Sequence, residues 1–303
     1  MKLKLFNPYL LLALRPKQWT KNFLVFSAPF FSYGDDILVW LSALATFICF
    51  CFISSSVYLI NDVLDIEADR NHPKKRKRAI ASGLVSKREA ILLSIFLVLI
   101  GFLVASILDI SVLIVFTLYL IIQFSYCVKL KKLPLVDIFC ISAGFLLRAI
   151  SGGLAGGLMI SPWFLISVTL LALFLAIEKR KAELIWSNKT GKFNRRVLRF
   201  YSKGLLLKFE NIVTSSSFIF YTLWASGPIL NGAPTEWMLL TVPFVLLGIF
   251  RYQQLSEPIK NNIQQSYIIK TENPEDILLK DKFIKIIIIF WIFTTFIIGY
   301  FFA

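Results

Sequence analysis

The sequence predicts an all-α integral-membrane fold of about nine transmembrane helices. Three observations carry that reading. Apolar runs of about 20 residues, the length that crosses a bilayer core of roughly 30 Å, recur along the whole chain. The basic residues gather on alternate connections between the runs. The acids concentrate at the mouth of one run. The chain has 303 residues, 57% of them hydrophobic and 29 of them Phe, with a mean hydropathy of +0.72. A water-soluble domain has no use for that much apolar surface. In lipid each backbone polar group must be satisfied within its own segment, so the runs are helices. The short alternating segments of a transmembrane barrel do not occur.

The runs fall, in order, at about 20–34, 37–60, 90–108, 110–128, 135–157, 161–178, 211–230, 236–255 and 284–302. The first is the shortest and contains Asn22 and Pro29. The second leads directly into the acidic stretch, and the fifth carries Arg148 halfway along. Of the 33 Lys and Arg residues, Arg148 alone lies deep in a run. The N-terminus and every second connection hold the rest: Lys2 to Lys21, Arg70 to Arg88, Lys129 to Lys132, Lys179 to Lys208 and Arg251 to Lys285. The opposite connections and the tail after Trp291 hold no Lys or Arg. This asymmetry follows the positive-inside rule. It places the N-terminus in the cytoplasm and the C-terminus outside a plasma or inner membrane. The net charge of +15 therefore reports topology and not nucleic-acid binding. All long polar stretches are connections on one side, which makes residues 1–303 a single domain. Four cysteines beside apolar runs and a lone His72 offer neither a disulfide framework nor a zinc site. No small-residue cleavage site follows "MKLKLFNPYLLLALRPKQW", so no removable signal peptide is read.

The informative stretch is "SSSVYLINDVLDIEADRNHPKKRKRAIASG", residues 54–83. If the second run stays helical to its end, Asp62, Asp65 and Asp69 stand at i, i+3 and i+7 on one face. Asn61 lies beside Asp65 at i+4. Carboxylates so placed repel one another unless a cation joins them. A hard divalent ion such as Mg2+ suits oxygen ligands together with substrate phosphates. The plainer alternative is a solvated helix end paired with the basic run Lys74–Arg78. That run is itself either an anchor on anionic lipid heads or a wall of phosphate-binding cations.

Arg148 is costly at its depth and should face a wet cavity or the bundle interior, against a phosphate or a carboxylate. Asp137 is eleven residues earlier, about 16 Å along a helix, too far to be its partner. Gly152, Gly153, Gly156 and Gly157 suit close helix packing. At the membrane entry of the chain, Lys17 and Trp19 read as interface anchors, and Lys21 and Asn22 begin the first run.

"NDVLDIEADRNHP" resembles the NDxxDxxxD signature of the UbiA superfamily of intramembrane transferases; Asn61, Asp62, Asp65 and Asp69 match it position for position. "LRPKQWTKN", "HPKKRKRAIASG", "LLRAISGG", "EKRKAEL" and "ENPEDILLKDK" are similar, in the same order, to the decaprenyl-phosphate phosphoribosyltransferase branch. Glu178 stands where that branch usually has Gly. The resemblance implies the UbiA-like fold, with the helices around a central cavity open to the cytoplasm, and Mg2+ as cofactor. It implies phosphoribosyl pyrophosphate as donor and a polyprenyl phosphate as acceptor in the membrane, with pyrophosphate released. It makes Asp62, Asp65 and Asp69 the catalytic acids, and Asn61, Asp62, Asp65 and Asp69 the metal set. Lys21, Asn61, Arg70, Lys74, Arg78, Arg148, Lys179, Arg180, Glu183, Glu275 and Asp276 become substrate contacts.

Prenyl-donor members typically carry a second Asp-rich motif after the sixth span. Here that place has Lys179, Arg180 and Glu183, and no Asp occurs between Asp137 and Asp276. Cations there suit a phosphate directly, although they also read as a positive-inside stop, the reading taken for Lys181. Glu275, Asp276 and Asp281 suit ribose hydroxyls or a second cation, or equally the start of a helix. Two alternatives share parts of this picture: a prenyltransferase acting on an aromatic acceptor, and a lipid transporter. The polar residues gather at one membrane face, which suits a soluble donor meeting a lipid better than it suits transport.

Overall fold

The computed structural model describes residues 7–34, 36–72, 74–190, 196–256, 277 and 280–302. Among these the regular elements are all helical. In chain order they are α1 (Tyr9–Ala13), a 3₁₀ segment (Pro16–Phe26), α2 (Ser27–Ser32), α3 (Ile37–Leu64), α4 (Ile66–Arg70), α5 (Lys87–Leu108), α6 (Ile110–Val128), α7 (Val136–Ala155), α8 (Pro162–Thr190), α9 (Lys203–Ala225), α10 (Val242–Ser256, after a 3₁₀ turn Glu236–Thr241) and α11 (Lys282–Phe302). Seven helical segments among the described residues are long and apolar enough to cross a membrane.

The other two expected spans differ for identifiable reasons. Residues 20–34 form the end of the 3₁₀ segment followed by the six-residue α2. Pro29 lies in the first turn of α2, where a missing N–H is tolerated, and the change from 3₁₀ to α-helix falls before it, between Phe26 and Ser27. The second, expected at 211–230, is part of α9, whose 23 residues are long enough to cross but begin with Lys203, Lys208, Glu210 and Asn211.

The chain divides into two compact units. The first comprises Met1–Phe30, Gly34–Leu130 and Leu147–Met159. Its spine is α3, started by the Asp36 carboxylate accepting from the Leu38 amide at 2.8 Å. At 28 residues α3 is about 42 Å long, more than a bilayer core needs, which lets its last turns carry polar groups. α5 starts in a capping box of Ser86 and Glu89. It buries a seam of small or slim residues, Ala90, Ser94, Leu97, Gly101 and Ala105, and packs on α3. A Cβ on Gly101 would stand 2.8 Å from Ile53 Cγ1. The outer face of α5, Leu92, Ile95, Leu99, Leu103 and Ile107, is exposed, as a lipid-facing stripe at helical spacing should be. The core of the unit is built on Val25, Phe50, Ile53, Phe116 and Tyr119, with the Phe50 and Phe116 rings edge to face at 4.8 Å. Of the α7 glycines, Gly152 meets the expectation of close packing, since a Cβ there would fall 1.7 Å from the Val25 carbonyl oxygen. Gly157 instead makes a turn at φ +65° with nothing near it.

The second unit comprises Phe31–Tyr33, Lys131–Leu146 and Ile160–Ala303. Here α8 packs on α9 and α10 on α11, around Phe174, Ile177, Leu206, Val213, Tyr252 and Ile284. Ser202 caps α9 by accepting from the Leu205 amide at 3.1 Å, and Asp281 caps α11 by accepting from the Ile284 amide at 2.9 Å.

Candidate active site

The acidic stretch straddles a helix break. α3 ends at Leu64, Asp65 takes φ −98° and ψ 11°, and α4 resumes at Ile66. The helical spacing survives the break, because the Asp65 amide donates to the Asn61 carbonyl at 3.0 Å and the Asp69 amide to the Asp65 carbonyl at 2.8 Å. Asp62 and Asp69 therefore share a face, and both are buried, at 4% and 3% exposure. One guanidinium nitrogen joins them: Arg78 Nη1 donates to Asp62 Oδ1 at 3.0 Å and to Asp69 Oδ2 at 2.6 Å. Arg15 Nη2 also ion-pairs with Asp62 Oδ1, and its guanidinium lies 5.2 Å from the Tyr58 ring centre.

Asp65 and Asn61 are only half buried. Among the described residues no group of three or more His, Cys, Asp or Glu is gathered for a metal. The convergence is a pair, Asp62 with Asp69, rather than the expected set of four. A pair of hard carboxylate oxygens already holding a cationic nitrogen is nevertheless a donor set that fits a divalent ion, completed by substrate phosphates and water.

The basic loop is folded, and its folding sorts its charges. Ala79, Ile80 and Val85 are buried in a cluster with Ala13, Leu59 and Ile66. The Arg70 Nε donates to the Ala81 carbonyl at 3.1 Å, and His72 Nδ1 accepts the Lys74 and Lys75 amides at 3.2 and 3.3 Å. This packing turns Arg78 inward while Arg70, Lys74, Arg76 and Lys77 stay exposed. Lys21, also expected at the site, binds Gln18 Oε1 at 2.6 Å.

Arg148 is buried in the same unit, at 4% exposure. Its Nε donates to Asn22 Oδ1 at 2.7 Å and its Nη2 to the Tyr119 hydroxyl at 3.0 Å. Its guanidinium also sits over the Phe50 and Tyr119 rings at 5.4 and 5.0 Å. These contacts are with neutral groups. Asn22 in turn donates to Cys51 Sγ and Ser54 Oγ on α3. The role of Tyr119 was not foreseen, because a Tyr within an apolar run looks like core.

In the second unit the basic segment of α8 is internal. Arg180 is fully buried, its Nε donating to Asp137 Oδ2 and its Nη1 to Glu183 Oε2, each at 2.6 Å. Asp137, set aside for Arg148, is thus a partner of Arg180. The Tyr201 hydroxyl donates to Asp137 Oδ1 at 2.7 Å and accepts from the Leu135 amide at 2.7 Å. Burial first, then that donation to Asp137, pushes the Tyr201 phenol above its ordinary range. Lys181, read as a positive-inside stop, is 1% exposed. Its Nζ lies 2.7 Å from both Glu178 Oε1 and Glu210 Oε2, and Gln253 Nε2 donates to Glu210 Oε1 at 2.8 Å. Glu178 with Lys181 and Arg180 with Glu183 are i, i+3 pairs within α8; the acids that face the segment from α7 and α9 have no such local signal. Lys179 is half buried. Asp281 binds Arg251 through Nη2 at 2.9 Å. Glu275 and Asp276 lie outside the described residues.

The model of the UbiA prenyltransferase family matches residues 23–270, which include the whole acidic stretch. The chain belongs to the UbiA prenyltransferase family. It is 35% identical over 298 residues to the decaprenyl-phosphate phosphoribosyltransferase of Mycolicibacterium smegmatis, covering 94% of this chain and 90% of that one. It is 33% identical over 290 residues to the protein of the same name from Corynebacterium glutamicum, covering 93% and 83%. Among solved structures, a UbiA homolog from Archaeoglobus fulgidus bound to GPP and Mg2+ aligns with a TM-score of 0.68 at 20% identity, over 96% of this chain and 99% of that one. This last likeness concerns the fold. The protein is thus a multi-pass membrane enzyme of the UbiA type, with the family's NDxxDxxxD residues at the end of α3 and in α4.

Proposed function

We propose that this UbiA member transfers the 5-phosphoribosyl group of phosphoribosyl pyrophosphate to a polyprenyl phosphate of decaprenyl type. The observation that carries a diphosphate-handling site is the pair Asp62 and Asp69, buried at a helix break and joined by one Arg78 nitrogen. Likeness along nearly the whole chain to relatives named for phosphoribosyl transfer supports the choice of donor.

In this reading an oxygen of the lipid phosphate forms a bond to ribose C1 as the bond from C1 to the pyrophosphate oxygen breaks, and pyrophosphate departs with the electron pair. Asp62 and Asp69, with Asp65 and Asn61 beside them, would hold Mg2+, which supplies charge neutralisation for the pyrophosphate when bound. Arg78 and Arg15 stand next to the same oxygens and stabilise the charge that develops on the leaving group. Lys179, half buried on α8, is a candidate for a phosphate contact. Lys21, Arg70, Lys74 and Arg148 in the first unit and Glu183 in the second remain candidate substrate contacts on the likeness to the relatives, as do Glu275 and Asp276 for the ribose. The charge asymmetry of the connections supports a cytoplasmic N-terminus and active site, within one transferase domain.

The test is purified protein in detergent with Mg2+, labelled phosphoribosyl pyrophosphate and a polyprenyl phosphate, beside a prenyl diphosphate with an aromatic acid. Label is expected in the lipid fraction of the first reaction only. Prenyl transfer to the aromatic acid, without phosphoribosyl transfer, would overturn the reading.

A further inference from the structure

Arg78 occupies the point where the two buried carboxylates converge. Its Nη1 is 3.0 Å from Asp62 Oδ1 and 2.6 Å from Asp69 Oδ2. A divalent ion held by those same two oxygens cannot share the point with a guanidinium, because both are cations and each needs the same lone pairs. The loop cannot simply retreat, since Ala79, Ile80 and Ala81, next in sequence, are buried at 8%, 2% and 5% exposure. The side chain can: it is 26% exposed, against 5% for each carboxylate. Resting on the reading of this stretch as the metal and pyrophosphate site, we propose that Arg78 and the divalent ion exchange places. The guanidinium holds Asp62 and Asp69 together until the ion takes their oxygens. It then swings from carboxylate to the phosphate oxygens that arrive with the ion. Arg78 thereby sets the affinity of the site for metal and is a positioning residue as well as a phosphate ligand. Arg15 pairs with the same Asp62 oxygen and not with Asp69, so it competes with the ion at one end of the pair only.

Exchange makes two binding steps respond with opposite signs to one substitution. In Arg78→Gln the carboxylates lose their competing cation, so Mn2+ should bind about tenfold more tightly. Pyrophosphate, added at saturating Mn2+, should bind about tenfold more weakly, through loss of a charge-assisted contact. Arg78→Lys keeps the charge but not the fork, and should fall between parent and Arg78→Gln in both. Mn2+ is followed by electron paramagnetic resonance on full-length protein in detergent and pyrophosphate by calorimetry, with no turnover required; thermal melting reports whether each variant is folded. A residue that only braces the loop would weaken both ligands when removed. Equal or weaker Mn2+ binding in a folded Arg78→Gln therefore sinks the exchange, and so does unchanged pyrophosphate binding. Should Arg78→Gln not fold, weaker Mn2+ binding in folded Arg78→Lys does the same. A parent that binds Mn2+ only at sites indifferent to Asp69→Asn overturns both the metal assignment and the exchange. Failure of phosphoribosyl transfer alone, with the opposite-sign result intact, overturns the substrate assignment and leaves the exchange standing.

Discussion

Two clusters of charge in this molecule use the same chemistry and differ in exposure. At the end of α3, Asp62 and Asp69 are paired with Arg15 and Arg78, whose side chains are 23% and 26% exposed. In α8, Arg180 is paired with Asp137 at 0% exposure for both, and Lys181 with Glu178 and Glu210 at 1%, 2% and 4%. A cation that reaches water from buried carboxylates can be traded for another cation. A cation sealed among carboxylates cannot leave without stranding them, and removing one partner of such a pair is strongly destabilising. The first cluster is thus built for exchange and the second for holding α7, α8 and α9 in register.

The largest effect should come from breaking the exchangeable cluster. Asp69→Asn keeps shape and hydrogen bonding but halves the carboxylate pair; turnover at saturating Mg2+ should fall by about 10³-fold or more. The protein should remain folded by size exclusion and melting, and Asp65→Asn should follow the same direction. Near-parental rates in both variants would remove the acidic stretch from the chemistry. The fixed cluster should answer in the other currency: Arg180→Ala leaves Asp137 buried without its ion pair, at a cost of about 3–5 kcal/mol in stability. Thermal melting reads this, and an unchanged midpoint in Arg180→Ala would erase the distinction between the clusters.

The sequence-level reading placed the acids of the first cluster on one face and did not name the distant partners of the second, for a physical reason. Local spacing along one helix exposes Asp62 and Asp69, since i and i+7 share a face whatever packs against it. Beyond α8, the partners of Arg180 and Lys181 are Asp137 and Glu210, 43 and 29 residues away in sequence, and these acids are held in turn by Tyr201 and Gln253. No periodicity within α8 names them. The same limit set Asp137 aside: distance along α7 excluded it from Arg148, correctly, but said nothing of what faces α7. Spans were legible where apolar length alone defines them. They were not where a 3₁₀ segment gives way to the short α2 or where the first turns of α9 carry Lys203, Lys208, Glu210 and Asn211.

Lys179 sharpens the comparison from inside α8, since it is half buried next to sealed Arg180. If it contacts a phosphate, Lys179→Ala should lose about 1.5–3 kcal/mol, appearing as a raised KM for donor or acceptor with the Mg2+ dependence and the melting midpoint unchanged. A lowered midpoint with unchanged KM would move Lys179 to the fixed group.

The smallest expected effect lies between the two extremes, at Asp281. Burial alone would raise its carboxyl, but the hydrogen bonds from Arg251 and the Ile284 amide, with the nearby guanidinium charge, outweigh it and hold the group below the ordinary aspartate range. A folded-state value below the unfolded one means that the unfolded chain binds protons more readily. The contribution is therefore complete above the unfolded value of about 3.9 and is lost as pH falls through the lower folded value. Asp281→Asn should lower the melting midpoint at pH 7, and the gap from parent should narrow as pH falls toward about 3. Arg251 is 28% exposed, so solvent screening keeps the gap at pH 7 smaller than that of Arg180→Ala. A gap of constant size across that range would mean that Asp281 acts as a neutral helix cap and that its ion pair with Arg251 contributes nothing to the join between α10 and α11.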